Sequence, residues 1–142
     1  MQRHDVIVVG AGPAGAAVAA RLHQHGVKDV LVLERYAFPR DKPCGGGLTG
    51  HADEALAALD RRRVDVLVSD LAMPGSDGYE LIRRVRSREQ TSGGATLPAV
   101  ALTAYAGTVD RARALAAGFQ AHASKPIAPD ELASLVHSLA RR

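Results

Sequence analysis

Val6-Ile7-Val8-Val9-Gly10-Ala11-Gly12-Pro13-Ala14-Gly15 runs from a block of β-branched residues into three glycines and a proline. Beyond it an Ala-rich stretch continues to about His25 and is closed by Gly26. A short continuous apolar run ending in Gly is the pattern of a strand buried on both faces, and the stretch after Pro13 has helical composition. The apolar run follows Asp5, is broken by Gly and Pro, and is too short to cross a bilayer, so it is read as one buried βα unit and not as a signal-peptide core. The same alternation repeats outward. Val30 to Glu34 reads as a strand, and Phe38 to Gly50, rich in Pro and Gly, as a loop. Ala52 to Arg62 has Leu56 and Leu59 on one helix face, and Val64 to Ser69 is a strand. Tyr79, Leu81, Ile82 and Val85 mark a helix, Ala99 to Leu102 a short strand, and Ala112, Leu115 and Ala116 a small-residue helix stopped by Gly118. Ala121 to Ser124 is a weak last strand. Leu132, Leu135, Val136 and Leu139 share one face of a final helix that starts at Pro129 with Asp130 and Glu131.

Strict alternation of about five strands and five helices predicts an α/β fold, a three-layer, doubly wound parallel five-stranded sheet with right-handed crossovers and strand order 2-1-3-4-5. The switch point then lies between the first and third strands, and a ligand belongs at the carboxyl ends of the strands. Gly10 to Gly15, Glu34, Asp70, Thr103 and Lys125 fall there. Composition agrees. The chain has 142 residues, 46% hydrophobic and only 4% aromatic with no Trp, so one core of Val, Leu, Ile and Ala is expected in a single domain spanning 1–142. Lys and Arg number 18 against 15 Asp and Glu, for a formal charge of +3 spread along the chain, which gives no support to nucleic-acid binding. The single Cys44 excludes an intrachain disulfide and points to a reducing cytoplasm. Six His lie without ligand spacing, so no resident metal is expected.

Gly10, Gly12 and Gly15 follow a strand and open a helix, and Glu34 ends the next strand about twenty residues on, the context of a dinucleotide fingerprint. Gly10 permits the tight turn, Gly12 lets a pyrophosphate approach the backbone, and Gly15 lets helix and strand pack closely. Pro13 and Ala14 begin the helix whose free N–H groups face the anion, and Glu34 accepts from a ribose diol. Asp5 to Gly15, Glu34-Arg35 and Phe38 to Leu48 together resemble the N-terminal FAD-binding unit of the geranylgeranyl reductase family of flavin-dependent oxidoreductases. The resemblance covers residues 1–50. It implies that Gly10, Gly12, Pro13, Ala14 and Gly15 meet the FAD pyrophosphate and that Glu34 and Arg35 lie at the adenosine end. Nothing later in the chain resembles the flavin-contacting motif or the substrate domain of such reductases.

Residues 51–142 resemble a response-regulator receiver domain. Val66 to Gly78 resembles that family's central strand and following loop, Ala101 to Ala104 its switch strand, and Ser124-Lys125-Pro126 its last strand. The resemblance implies that Asp70 accepts a phosphoryl group, that Thr103 follows the phosphoryl oxygen, that Lys125 stabilises its charge, and that the Lys125-Pro126 bond is cis. A carboxylate attacks phosphorus only where cations neutralise the equatorial oxygens, and a Lys beside an Asp supplies part of that charge. Receivers hold Mg²⁺ with an acidic pair after the first strand. Here that position carries Gly10-Ala11-Gly12, which leaves only Asp70 and the Ala72 carbonyl as Mg²⁺ ligands. The usual mobile aromatic, three residues before the Lys, is His122. Cys44 reads as a family remnant, and Arg61-Arg62-Arg63 as a solvated helix end.

The two signatures join between Leu48 and His51, inside one sheet. The chain therefore reads as a chimera, an engineered flavodoxin-like scaffold and not an enzyme. It keeps a Gly loop for weak binding of FAD or another ADP-containing nucleotide, beside a vestigial acceptor site at Asp70, Thr103 and Lys125. The alternatives are a phosphorylatable two-component receiver and an FAD-dependent oxidoreductase fragment. Beyond a nucleotide ligand the expected partners are none of nucleic acid or membrane, with a monomer or weak homodimer as the assembly.

Overall fold

The opening valines form an interior strand of a sheet. The computed structural model of the chain describes residues 2–9, 13–33, 51–71, 78–104 and 107–141. Its elements run β1 (Gln2–Val9), α1 (Pro13–Gln24), β2 (Val30–Leu33), α2 (His51–Arg61), β3 (Arg62–Asp70), α3 (Gly78–Ser92), β4 (Ala99–Thr103), α4 (Thr108–Ala117), β5 (Ala121–Ser124) and α5 (Pro129–Ala140). All neighbouring strands are parallel, in the order β2-β1-β3-β4-β5, as the alternation of elements predicts. The strands before residue 50 and those after it share this one sheet: Val8 aligns with Val32 of β2 on one side and Val68 of β3 on the other.

Successive side chains of a strand point to opposite faces, so β1 feeds two cores. Ile7 joins Leu67, Ala99 and Ala101 under α2, α3 and α4, where Leu56, Leu81, Ile82, Val85 and Ala114 close the layer. Val6 and Val8 join Val66, Val68, Val100 and Leu102 under α1 and α5, against Val18, Leu22, Leu132, Val136 and Leu139. A sheet buried on both faces explains why its strands carry continuous apolar runs in place of alternation.

Boundaries differ from the sequence expectation where the backbone ladder outweighs side-chain pattern. β1 begins at Gln2 and β3 at Arg62, because Gln2, Arg3 and His4 pair with Arg62, Arg63 and Val64. The expectation of a solvated helix end holds for Arg61, the exposed last residue of α2, and fails for Arg62 and Arg63, which already belong to β3. In α4 the inward residue is Ala114, while Leu115 is 41% exposed. That helix stops at Gly118, whose φ of 117° suits glycine and lets its N–H reach the Ala114 and Leu115 carbonyls. In α5 the buried face is Leu132, Ala133, Val136 and Leu139, with Leu135 only half-buried. Among the described residues no helix is long and apolar enough to cross a membrane.

Candidate functional site: the carboxyl edge of the sheet

The ladder itself brings the three acceptor residues together. Asp70 ends β3 with its Cα aligned to Leu102, and Thr103, next along β4, aligns with Ser124, which Lys125 follows. Two backbone bonds pin these ends: Leu71 N–H donates to the Leu102 carbonyl at 2.8 Å, and Lys125 N–H to the Thr103 carbonyl at 2.6 Å. Lys125 Nζ forms an ion pair with Asp70 Oδ2. Both side chains are mostly covered, 31% and 27% exposed, and Thr103 beside them is buried. The Lys125-Pro126 peptide bond is cis, as the resemblance implies.

Two residues of the Val66 to Gly78 motif that were assigned no role from sequence hold the Asp70 backbone. Ser69 is fully buried and its Oγ donates to the Asp70 carbonyl at 3.2 Å. Gly78, the first residue of α3, packs so closely that a Cβ there would stand 2.5 Å from the Asp70 carbonyl oxygen. Only glycine lets α3 start against the end of β3.

The described residues do not make a divalent-cation site. No cluster of three or more His, Cys, Asp or Glu able to hold a metal occurs among them, and the residues that follow β1, Gly10-Ala11-Gly12, carry no side-chain oxygen. Asp5 cannot substitute. It precedes Val9 by four residues of strand, roughly 13 Å at about 3.3 Å per residue. Lys125 pairs with Asp70, offsets its charge and occupies one of its oxygens.

Of the residues expected to bind a dinucleotide, Pro13, Ala14 and Gly15 form the first turn of α1. Gly10, Gly12, Glu34 and Arg35 lie outside the described residues, as do Ala72, Cys44 and the loop from Phe38 to Gly50. A feature no motif announced is an apolar cavity of about 390 Å³ between α1 and α5, lined by Ala17, Val18, Leu102, Ile127 and Leu132 with Lys125 at its rim. The signal for it was the small Ala17 on the face of α1 that also carries Val18 and Leu22 toward α5. His122, in the place of the usual aromatic, is half-buried on β5, and its Nε2 has no hydrogen-bond partner among the described residues.

Comparison with known proteins agrees with this geometry. The response regulator receiver domain family matches residues 42–137, and an NAD(P)-binding Rossmann-like domain matches residues 8–39. An uncharacterized 14.6 kDa protein of Leptolyngbya boryana is 52% identical over 86 residues, 61% of this chain and 63% of that protein. A menaquinone reductase of Mycobacterium tuberculosis is 62% identical over 55 residues, 39% of this chain and 13% of the reductase. The chain thus spans less than two thirds of either relative. Among solved structures, the receiver domain of the Francisella response regulator 1452 superposes with a TM-score of 0.73 at 25% identity, over 99% of this chain and 98% of that one. The receiver reading, ranked second on sequence grounds, is the one these matches support. With the 2-1-3-4-5 sheet, the Asp70–Lys125 pair and the family match over two thirds of its length, the chain belongs to the response regulator receiver domain family.

Proposed function

We propose that this receiver domain is a signalling module that keeps the acceptor arrangement of Asp70, Thr103 and Lys125 but takes up phosphoryl groups from small donors very slowly. The observation that carries this reading is the Asp70–Lys125 ion pair beside buried Thr103, with Gly10-Ala11-Gly12 where a cation-binding acidic pair would stand. In the acceptor reaction an Asp70 carboxylate oxygen forms a bond to phosphorus while the donor's bond to phosphorus breaks, leaving an acyl phosphate. Lys125 must then shift from the carboxylate to the transferred oxygens. One ammonium group neutralises only part of their charge. Incubation with acetyl phosphate and Mg²⁺ is expected to leave the intact mass essentially unchanged over an hour. The double variant Ala11→Asp/Gly12→Asp, which restores carboxylates, should raise labelling by about a hundredfold. Rapid Mg²⁺-dependent labelling of the parent chain that disappears in Asp70→Asn would overturn the reading and make this a fully competent acceptor.

A second reading rests on the Rossmann-like match over residues 8–39 and the identity to a menaquinone reductase. It takes the first fifty residues as a flavoprotein βαβ unit grafted into a receiver, a hybrid of engineered origin, whose Gly turn retains affinity for the ADP portion of FAD. The start of α1 and the apolar cavity beside Lys125 offer an anion-facing helix end and room for one ring system. Asp70 sets its charge against the same crevice. Calorimetric titration should give a dissociation constant on the order of tens of micromolar or weaker, roughly 6–7 kcal/mol, with FAD no more than about tenfold better than ADP. Gly12→Val should abolish the signal. Absence of binding by any nucleotide at millimolar concentration, or unchanged binding in Gly12→Val, would make the turn purely structural.

A further inference from the structure

Among the described residues two polar side chains are buried, Ser69 and Thr103. Thr103 belongs to the acceptor set, and Ser69 has no part in it. Ser69 falls between Leu67 and Leu71, which both join the layer under α2, α3 and α4, and its Cα aligns with Ala101 of the same layer. An alanine would fill that position at less cost, because a hydroxyl taken from water into an apolar layer has to be bonded. The bond is spent on the next residue, the Asp70 carbonyl.

That carbonyl belongs to the peptide unit at which the ladder stops. Asp70 is the last residue of β3, and Leu71 is already a bend. The unit is held on three sides. The Ser69 hydroxyl takes its carbonyl oxygen, the Leu102 carbonyl takes its N–H, and Gly78 packs so that a Cβ would stand 2.5 Å from that oxygen and 3.1 Å from Ser69 Oγ. The preceding peptide is fixed by the ladder, where Ser69 aligns with Val9 of β1 and Ala101 of β4. A planar peptide fixed on each side of its Cα leaves Asp70 one direction for its Cα–Cβ bond. That direction carries the carboxylate to Lys125 Nζ.

We propose that Ser69 is a positioning residue for the acceptor: its hydroxyl holds the Asp70–Leu71 peptide so that the Asp70 carboxylate meets Lys125. Gly78 supports it by letting α3 close over that bond. Ser69 touches no reacting atom and acts through Asp70. As a role in phosphoryl acceptance this rests on the reading of Asp70 as the acceptor, whereas the role in the Asp70–Lys125 pair stands on the geometry.

The chain supplies its own reference for a test, since Lys28 is exposed and Lys125 is 31% exposed and held against Asp70. Competitive acetylation with N-hydroxysuccinimidyl acetate, read by peptide mass spectrometry, gives the ratio of Lys125 to Lys28 labelling within one molecule. Asp70→Ala, which removes the pair, sets the upper limit of that ratio. Ser69→Ala is expected to raise it by about threefold to tenfold, the factor one hydrogen bond contributes. Gly78→Ala should raise it as well, by pushing the Asp70 carbonyl aside, and if that chain fails to fold Ser69→Ala decides alone. Ile82→Val removes a methyl from the same buried layer and lowers stability without touching Asp70, so its ratio should equal that of the parent. A parent ratio in Ser69→Ala, a ratio raised equally by Ile82→Val, or no effect of Asp70→Ala overturns the proposal. Added to Ala11→Asp/Gly12→Asp, Ser69→Ala should slow labelling by acetyl phosphate by the same factor, and an unchanged rate confines Ser69 to the fold and overturns its role in acceptance. If that double variant takes up no phosphoryl group at all, the acceptor reading falls and the role in acceptance with it, while the lysine ratio still decides whether Ser69 positions Asp70.

Discussion

Val8→Asp is expected to unfold the entire domain, not only its first fifty residues. Val8 is 1% exposed near the carboxyl end of β1, with Val32 aligned on one side and Val68 on the other, in the core that also holds Val18, Leu22, Val66 and Val100. A carboxylate there loses its water and gains no partner, at a cost of several kcal/mol against a total stability of about 5–15 kcal/mol. Val8→Ala, which only removes apolar contact, should cost about 2 kcal/mol and leave the chain folded. Because β1 is the shared neighbour of β2 and β3, the strands on both sides of residue 50 should melt together. Urea unfolding of the parent, followed by far-UV circular dichroism and by tyrosine emission in this Trp-free chain, should show one coincident transition. Two separated transitions, or a Val8→Asp chain that keeps half its helical signal, would sink the argument that one sheet unites the two segments.

That union was legible because a parallel sheet buried on both faces writes itself as plain apolar runs: Val6 to Val9, Val30 to Leu33, Val66 to Val68 and Ala99 to Leu102 are visible without knowing their neighbours. Strand order followed from crossover handedness and strand count. Asp70, Thr103 and Lys125 were equally accessible, since each stands at a strand end and the topology assembles strand ends at one edge. What periodicity could not show is pairing that ignores side-chain type. Arg62 and Arg63 enter β3 because their backbones answer Gln2 and Arg3, so charge misread them as a solvated helix end. Contacts between elements distant in sequence were also hidden. Gly78 carries no signal that its Cα abuts the Asp70 carbonyl, and the face of α4 was ambiguous because Ala112, Ala114 and Ala116 look alike in composition. Most hidden of all was the polar junction at the opposite, amino-terminal edge of the sheet, built from residues that motif reading passes over.

Arg86→Met is expected to destabilise the domain by about 2–4 kcal/mol without disturbing the acceptor edge. Arg86 of α3 is 16% exposed and its guanidinium donates to four residues. Nε donates to the Gly118 carbonyl at 2.9 Å, Nη1 to Glu89 Oε1 and Oε2 at 2.7 and 2.8 Å, and Nη2 to the Leu97 carbonyl and to Gln120 Oε1, both at 2.9 Å. The acceptors are in turn tied to the backbone: Leu97 N–H donates to Glu89 Oε1 and Ala99 N–H to Gln120 Oε1, each at 2.8 Å. One side chain thus fastens the end of α3, the entry to β4 and the last turn of α4. Methionine keeps much of the stem's apolar contact and removes every donor, leaving the largely covered Glu89 carboxylate without its cation. Arg88→Met provides the contrast, because the Arg88–Asp60 pair is 47% and 60% exposed and exposed pairs contribute less than about 1 kcal/mol. Since the cost lies mainly in the stranded Glu89 charge, adding Glu89→Leu to Arg86→Met should restore part of the lost stability. Urea midpoints of the four chains decide the matter. An Arg86→Met midpoint equal to that of Arg88→Met, or a double variant weaker than Arg86→Met alone, would show that shape and not charge holds this edge together.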